Sequence, residues 1–216
     1  MNAFRTLIIA ALGFTALPAF ALSDNGQAQL QQLQTRWAEI NYQTPEKQRE
    51  EAFAKLVTQA DAALVSEPKA PELLIWRGII LSTEAGAKGG LGALGLVKEA
   101  KASLEQALAI DPQALAGSAY TSLGSLYYQV PGWPIGFGDD EKAEKMLTQA
   151  LAINPDGLDP NYFYGDFLQR QKRYEESRAA LEKALAAKDR PGRELADKGR
   201  RAEATALLQR VESKLQ

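Results

Sequence analysis

The sequence predicts an all-α fold of stacked helical hairpins, and three observations carry that reading. Ala143-x-x-x-Leu147-x-x-Ala150 recurs 34 residues later as Ser177-x-x-x-Leu181-x-x-Ala184. Leu108-Ala-Ile-Asp-Pro112 returns as Leu151-Ala-Ile-Asn-Pro155. Between these phrases, apolar residues fall three and four apart, the spacing of one helical face. A fixed interval of this size marks units that bury their apolar faces only against neighbouring copies.

About nine helices follow from the pattern. The first, roughly 26–41, carries Leu30, Leu33, Trp37 and Ile40 as one stripe. Thr44-Pro45 is expected to cap and open the second, about 45–66, since threonine accepts an orphan amide and proline needs none at the first helical position. Pro71 opens a third, with Leu74, Gly78 and Leu81 on one face, and a fourth covers about 95–110. The fifth, about 115–130, holds Tyr120, Leu123, Gly124 and Tyr127, and the sixth starts near Asp139. Asp159-Pro160 starts the seventh, Tyr174 heads the eighth, and the ninth spans about 193–214. The ninth is rich in charge, which suits a cap on the open end of an elongated stack.

Residues 1–21 stand outside the repeat. Arg5 precedes an apolar run from Leu7 to Phe20 that ends Ala19-Phe20-Ala21, the pattern of a secretory signal peptide cut after Ala21. The run is broken by Pro18 and is shorter than the ~20 residues a transmembrane helix needs. The expected product is residues 22–216, one domain secreted across an inner membrane into the periplasm, with no stable membrane anchor. Losing Arg5, the one charge in the segment, moves the net charge from −2 to −3. A near balance of charge offers no broad basic field for nucleic acid. The chain has no cysteine and no histidine. Disulfides, the usual zinc sites, thiol nucleophiles and Ser-His-Asp triads are therefore excluded, and neither a metal nor a cofactor is expected.

Leu123-Gly124-x-x-Tyr127 followed by Ala143, Leu147, Ala150 and Pro155 resembles the tetratricopeptide repeat. The phrase recurs with Ala100, Leu104, Ala107 and Pro112, and more faintly with Leu56, Ala60, Ala63 and Pro68. The resemblance implies a right-handed superhelix of antiparallel helix pairs, with repeats at about 26–68, 71–112, 115–155 and 158–191. It also implies a concave groove lined by the first helix of each pair. Groove positions fall on Glu72, Ile75, Ile79, Ser82 and Thr83, then Ser118, Thr121, Ser125, Tyr128 and Gln129, then Asp159, Tyr162, Asp166, Gln169 and Arg170. Tyrosine, glutamine, arginine and aspartate at such positions suit a protein or peptide partner.

Two units depart from the even spacing. Gly165 and Ser177 are 12 residues apart, whereas Gly78 and Ala100 are 22 apart and Gly124 and Ala143 are 19 apart. The extra segments are Ala85 to Leu96, rich in glycine, and Val130 to Gly138, which reads VPGWPIGFG. The first lacks the Gly-Lys-Ser/Thr ending of a phosphate loop; close packing of the two inserts is the expected reason for its glycines. The second displays Trp133, Ile135 and Phe137, either as a wall for an apolar ligand or as extra core over the helix ends. These inserts resemble those of the T component linked to tripartite ATP-independent periplasmic transporters. That likeness implies a ligand-accessible cavity, a solute-binding protein as partner and self-assembly, although this chain has no lipidation cysteine.

The reading that results is an exported, non-catalytic binding or scaffold protein. Its rival is a carbohydrate hydrolase using Asp139, Asp140 or Asp166 as paired acids. Acids at a helix start are also explained as caps that favour the positive dipole end.

Overall fold

The computed structural model describes residues 22–216. The expected signal segment, 1–21, lies outside the described residues. Nine α-helices account for the described architecture: α1 (Asp24–Gln43), α2 (Glu46–Ser66), α3 (Pro71–Lys88), α4 (Ala93–Ile110), α5 (Ala114–Gln129), α6 (Asp140–Ile153), α7 (Leu158–Arg170), α8 (Tyr174–Ala186) and α9 (Glu194–Glu212). Local chemistry sets several of their ends. Ser23 caps α1 by accepting from the Gly26 amide at 3.0 Å, and Asp139 caps α6 by accepting from the Lys142 amide at 3.0 Å. Pro71 occupies the first turn of α3. Thr44 does not cap α2 as expected. Its hydroxyl turns back toward the Glu39 carbonyl at the end of α1, and α2 begins without a side-chain cap.

Consecutive helices pair as α1–α2, α3–α4, α5–α6 and α7–α8. Three of these pairs are held by a contact that repeats almost without change. A Cβ added to Gly78 would sit 2.6 Å from Leu104 Cγ, one on Gly124 2.6 Å from Leu147 Cγ, and one on Gly165 2.8 Å from Leu181 Cγ. All three leucines are fully buried. Any side chain at those glycines would push the paired helices apart, so the interval in the sequence is the interval of this contact. Beside it, the Ser177 hydroxyl donates to the Gly165 carbonyl at 2.7 Å, which satisfies a buried polar group where other units have alanine.

The first insert is not the long loop the spacing suggests. α3 runs on to Lys88 and α4 starts at Ala93, so most of the extra residues lengthen two helices, each 18 residues long. The turn is made by Gly89 and Gly90, with φ of 65° and 59°, a conformation that glycine adopts without steric cost. Packing against the other insert does not explain these glycines. A Cβ on Gly86, Gly89, Gly90 or Gly95 would meet nothing within 4 Å.

The second insert is a true loop, folded back on α5. The Asp139 amide donates to the Tyr127 carbonyl at 2.8 Å and the Gly138 amide to the Pro131 carbonyl at 3.0 Å. A Cβ on Gly136 would collide with the Pro131 oxygen, so this glycine serves close backbone approach rather than an unusual φ. The peptide bond between Trp133 and Pro134 is cis.

The largest departure from expectation concerns α9. It does pack on α7 and α8, where Ala204, Leu207 and Val211 cluster with Leu181. Its first turns, however, return to α1. Ala196 is buried in the core cluster of α1, α2 and α3, and a Cβ on Gly199 would strike the Tyr42 ring. The odd-numbered helices therefore touch in sequence, α1 to α3 to α5 to α7 to α9, and α9 closes on α1. The result is a closed ring rather than an elongated stack with one open end. Part of the charge on α9 that suggests a simple cap instead forms ion pairs with neighbouring elements, through Asp197, Arg200 and Arg201.

Candidate binding lumen

The ring of odd-numbered helices surrounds a cavity of about 910 Å³. Its walls come from α1, α3, α5, α7 and α9, with the end of α8 (Lys183, Ala186) and the segments 154–157 and 187–193 completing one side. Trp37 and Trp76 contribute aromatic surface, edge to face with centroids 5.9 Å apart. The Trp37 Nε1–H donates to the Thr83 hydroxyl at 2.9 Å. The hydroxyls of the α3 and α5 walls are largely turned onto their own helices. Ser82 donates to the Gly78 carbonyl at 2.7 Å, Thr83 to Ile79 at 2.8 Å and Ser125 to Ser122 at 2.9 Å. Such back-bonding satisfies the protons and leaves a wall of low polarity.

At the head of α5 the chain is unusual. Leu115, Ala116 and Gly117 have φ of 48°, 53° and 76°. This is one turn of left-handed backbone, disfavoured for leucine and alanine by contact between Cβ and the following carbonyl. Leu115 and Ala116 line the lumen, so the strain lies where the wall is shaped.

The charged end of the lumen is built on Asp159. Its Oδ2 pairs with Arg190 at 2.6 Å and its Oδ1 with Arg200 at 2.9 Å. Arg190 also pairs with Asp197 at 2.5 Å, and Arg200 with Glu203 at 2.6 Å. Arg200 stacks on Tyr162 and Phe163, 4.5 and 4.7 Å from their ring centroids. Burial pushes the Asp159 carboxyl up, but the Arg200 and Arg190 charges outweigh it and hold the group below its ordinary value. The network ties α7, the 187–193 segment and α9 together at the point where the ring closes.

Of the residues predicted for binding, Thr121 and Ser125 line the lumen, as do Ile79, Ser82, Thr83, Ser118 and Asp159 of the wider groove set. Tyr128, Gln129, Asp166 and Arg170 instead form a self-contained cluster outside it. The Tyr128 hydroxyl donates to Asp166 at 2.8 Å and accepts from Gln129 at 3.2 Å, while Arg170 lies 4.9 Å over the Tyr128 ring. Burial, aided by the Asp166 charge, raises the Tyr128 hydroxyl well above its ordinary value. Tyr162 packs edge to face on Phe163 at 5.1 Å and lies under Arg200.

The insert residues do not line the lumen either. Phe137 packs edge to face on Tyr127 at 5.8 Å, with Lys101 over its ring. Trp133 is 90 % exposed and Ile135 55 % exposed. The inserts therefore do not line the lumen wall; one aromatic extends the core and the other faces solvent. Among the rival catalytic acids, Asp139 caps α6, Asp140 accepts from Gln171 at 2.8 Å, and Asp166 is held by Tyr128.

The lumen residues that the repeat pattern missed include Trp37, Tyr42, Trp76, Arg193 and Arg200. In sequence, Trp37 is indistinguishable from core, and it is indeed 7 % exposed. The arginines belong to the returning segment, whose path no local signal encodes. Among the described residues no group of histidine, cysteine or carboxylate side chains could hold a metal ion, and no helix is long and apolar enough to cross a membrane.

Tetratricopeptide-repeat family models match residues 135–196 and 91–114. Among solved structures, the chain is similar to MamA, with 22% identity, a TM-score of 0.45, and coverage of 78% of this chain and 92% of that one. It is also similar to TTC0263, a thermophilic TPR protein of Thermus thermophilus, with 19% identity, a TM-score of 0.42, and coverage of 84% and 99%. No curated protein matches the chain by sequence. With the two family-model matches and the glycine–leucine contact repeated in three helix pairs, the chain carries tetratricopeptide repeats and has an all-α helical-repeat fold.

Proposed function

We propose that this is an exported, non-catalytic binding protein whose repeats enclose a lumen for a small, largely apolar ligand. The supporting observation is the closure of α9 on α1, which turns an open groove into a cavity of about 910 Å³. That volume lies in the range of small-molecule sites, and its mixture of aromatic surface with a few polar groups is of the same kind. Tetratricopeptide repeats generally serve protein–protein interaction, and the exposed Trp133–Ile135 loop supplies a second, outward surface suited to a protein partner. A periplasmic transport accessory that meets a solute-binding protein through this loop would use both surfaces.

The lumen reading is tested by uptake of the apolar fluorophore N-phenyl-1-naphthylamine. The wild-type protein should take it up, and Ser125→Trp, which fills the wall, should abolish uptake with helicity unchanged. No uptake by a folded wild-type protein, or equal uptake by the variant, overturns it. Export is tested by N-terminal sequencing of the protein recovered from periplasm, which should begin at Leu22.

A further inference from the structure

Four buried side-chain atoms lack a hydrogen-bond partner among the described residues: Gln29 Oε1, Tyr42 OH, Glu72 Oε2 and Arg193 Nε. Two of them, Tyr42 OH and Arg193 Nε, belong to residues lining the same lumen. Both are donors. An orphaned buried donor costs free energy, so two that belong to residues of one cavity wall require an explanation.

Arg193 differs from its neighbours. Arg190 and Arg200 are each tied to two carboxylates. Arg193 forms no ion pair among the described residues; its guanidinium lies over Trp76, 4.8 Å from the ring centroid. Stacking occupies the face of the guanidinium and leaves its in-plane N–H groups available. Asp159 and Asp197 act on it only at a distance, and burial with the nearby Arg190 charge pushes its pKa down, as expected of a cation that lacks a close counter-ion. Tyr42 packs edge to face on Trp37 at 5.9 Å, and Trp37 packs on Trp76 at 5.9 Å. The three rings and the guanidinium thus form one continuous corner, where α1, α3 and the start of α9 meet. Its charge balance favours an anion: three lining cations, Lys183, Lys188 and Arg193, form no ion pair among the described residues, against one lining carboxylate, Asp156, that forms none, whereas Arg190 and Arg200 are matched by Asp159, Asp197 and Glu203.

We infer that this corner binds the carboxylate of an organic monoanion with an apolar or aromatic body. Arg193 supplies charge-assisted hydrogen bonds, Tyr42 a neutral one, and the lumen walls receive the apolar body. The inference rests on the lumen reading above and names the class of ligand for it.

Isothermal titration of the purified protein with 2-naphthoate and with neutral 2-naphthamide separates the two claims. The carboxylate should bind about tenfold or more tightly than the amide. Arg193→Gln should remove that preference, bringing both probes to similar affinity, and Tyr42→Phe should weaken the carboxylate about threefold to tenfold. Arg193→Lys, which keeps charge but loses the planar fork, covers the case in which the glutamine variant does not fold, and should retain part of the preference. If both probes bind equally to wild type and Ser125→Trp excludes both, the lumen stands and the anion assignment falls. If Arg193→Gln folds and keeps the full preference, the assignment also falls. If neither probe binds the folded wild-type protein, lumen and assignment fall together.

Discussion

Gly124 and Leu147 are in contact so close that a methyl group on the glycine would overlap the leucine side chain, at 2.6 Å from its Cγ. Gly124→Ala should therefore destabilise the protein, although alanine is the better helix former by ~1 kcal/mol. Leu147 is fully buried and has no space to withdraw, so overpacking of about 1–3 kcal/mol should outweigh the gain in propensity. Gly86→Ala provides the opposite sign in the same fold. It lies within α3, and its added Cβ would meet nothing within 4 Å, so a gain of about 0.5–1 kcal/mol is expected. Chemical denaturation of both variants checks the pair; stabilisation by Gly124→Ala would show that the paired helices can separate freely.

The left-handed turn at the head of α5 predicts a second gain. Ala116 has φ of 53° without the freedom of glycine. Ala116→Gly should relieve about 1 kcal/mol, the penalty of a left-handed alanine less the entropy that glycine loses on folding. Thermal melting reads it directly. A loss of stability would mean that the Ala116 methyl contributes packing greater than the strain.

The fold is largely legible in the sequence because glycine, alanine and leucine record the helix pairing at fixed positions. Gly78, Gly124 and Gly165 each face the leucine that the spacing assigns. The lumen is only half legible. Thr121 and Ser125 follow from the repeat, since the first helix of each pair faces inward. Tyr128 and Asp166 sit on the same class of helix and are expected in the same groove, yet they bond to each other and stand outside it. Helical phase places a residue on a face but does not say which neighbour will satisfy it. The first insert misleads for a related reason. An excess of residues between two fixed points shows length, and Ala85 to Lys88 and Ala93 to Leu96 take up that length as additional helix. Ring closure by α9 is not legible at all, because Gly199 against Tyr42 is a contact between elements far apart in the chain and no periodicity connects them.

The Val130–Gly138 loop predicts a contrast between two aromatics four residues apart. Trp133 is 90 % exposed, so Trp133→Ala should change stability by no more than ~0.5 kcal/mol. Phe137 is partly buried against Tyr127, so Phe137→Ala should cost about 2 kcal/mol, toward the low end for large-to-small core changes. If instead Trp133→Ala alone lowers the melting temperature, the outward surface is part of the core and the loop offers no separate docking face.

Asp159 makes stability depend on acid in a direction fixed by its surroundings. Arg200 and Arg190 hold its folded pKa below the ordinary value of 3.8. The unfolded chain therefore takes up this proton first as pH falls. The contribution of Asp159 is fully present above the unfolded pKa and is lost as pH drops through the lower folded one, so stability should rise with pH across the acid range. Asp159→Asn removes that carboxylate while leaving two partly buried guanidinium groups short of a partner. A loss of about 2–4 kcal/mol at neutral pH is expected, somewhat below that for breaking a fully buried pair because the site is partly open to the lumen. The variant should also show a shallower decline between neutral pH and pH ~3 than wild type. Denaturation curves collected across that range test both statements. A neutral-pH stability equal to wild type, with the same acid slope, would remove Asp159 from the closure of the ring and leave the apolar contacts of Ala196 and Gly199 to hold α9 against α1.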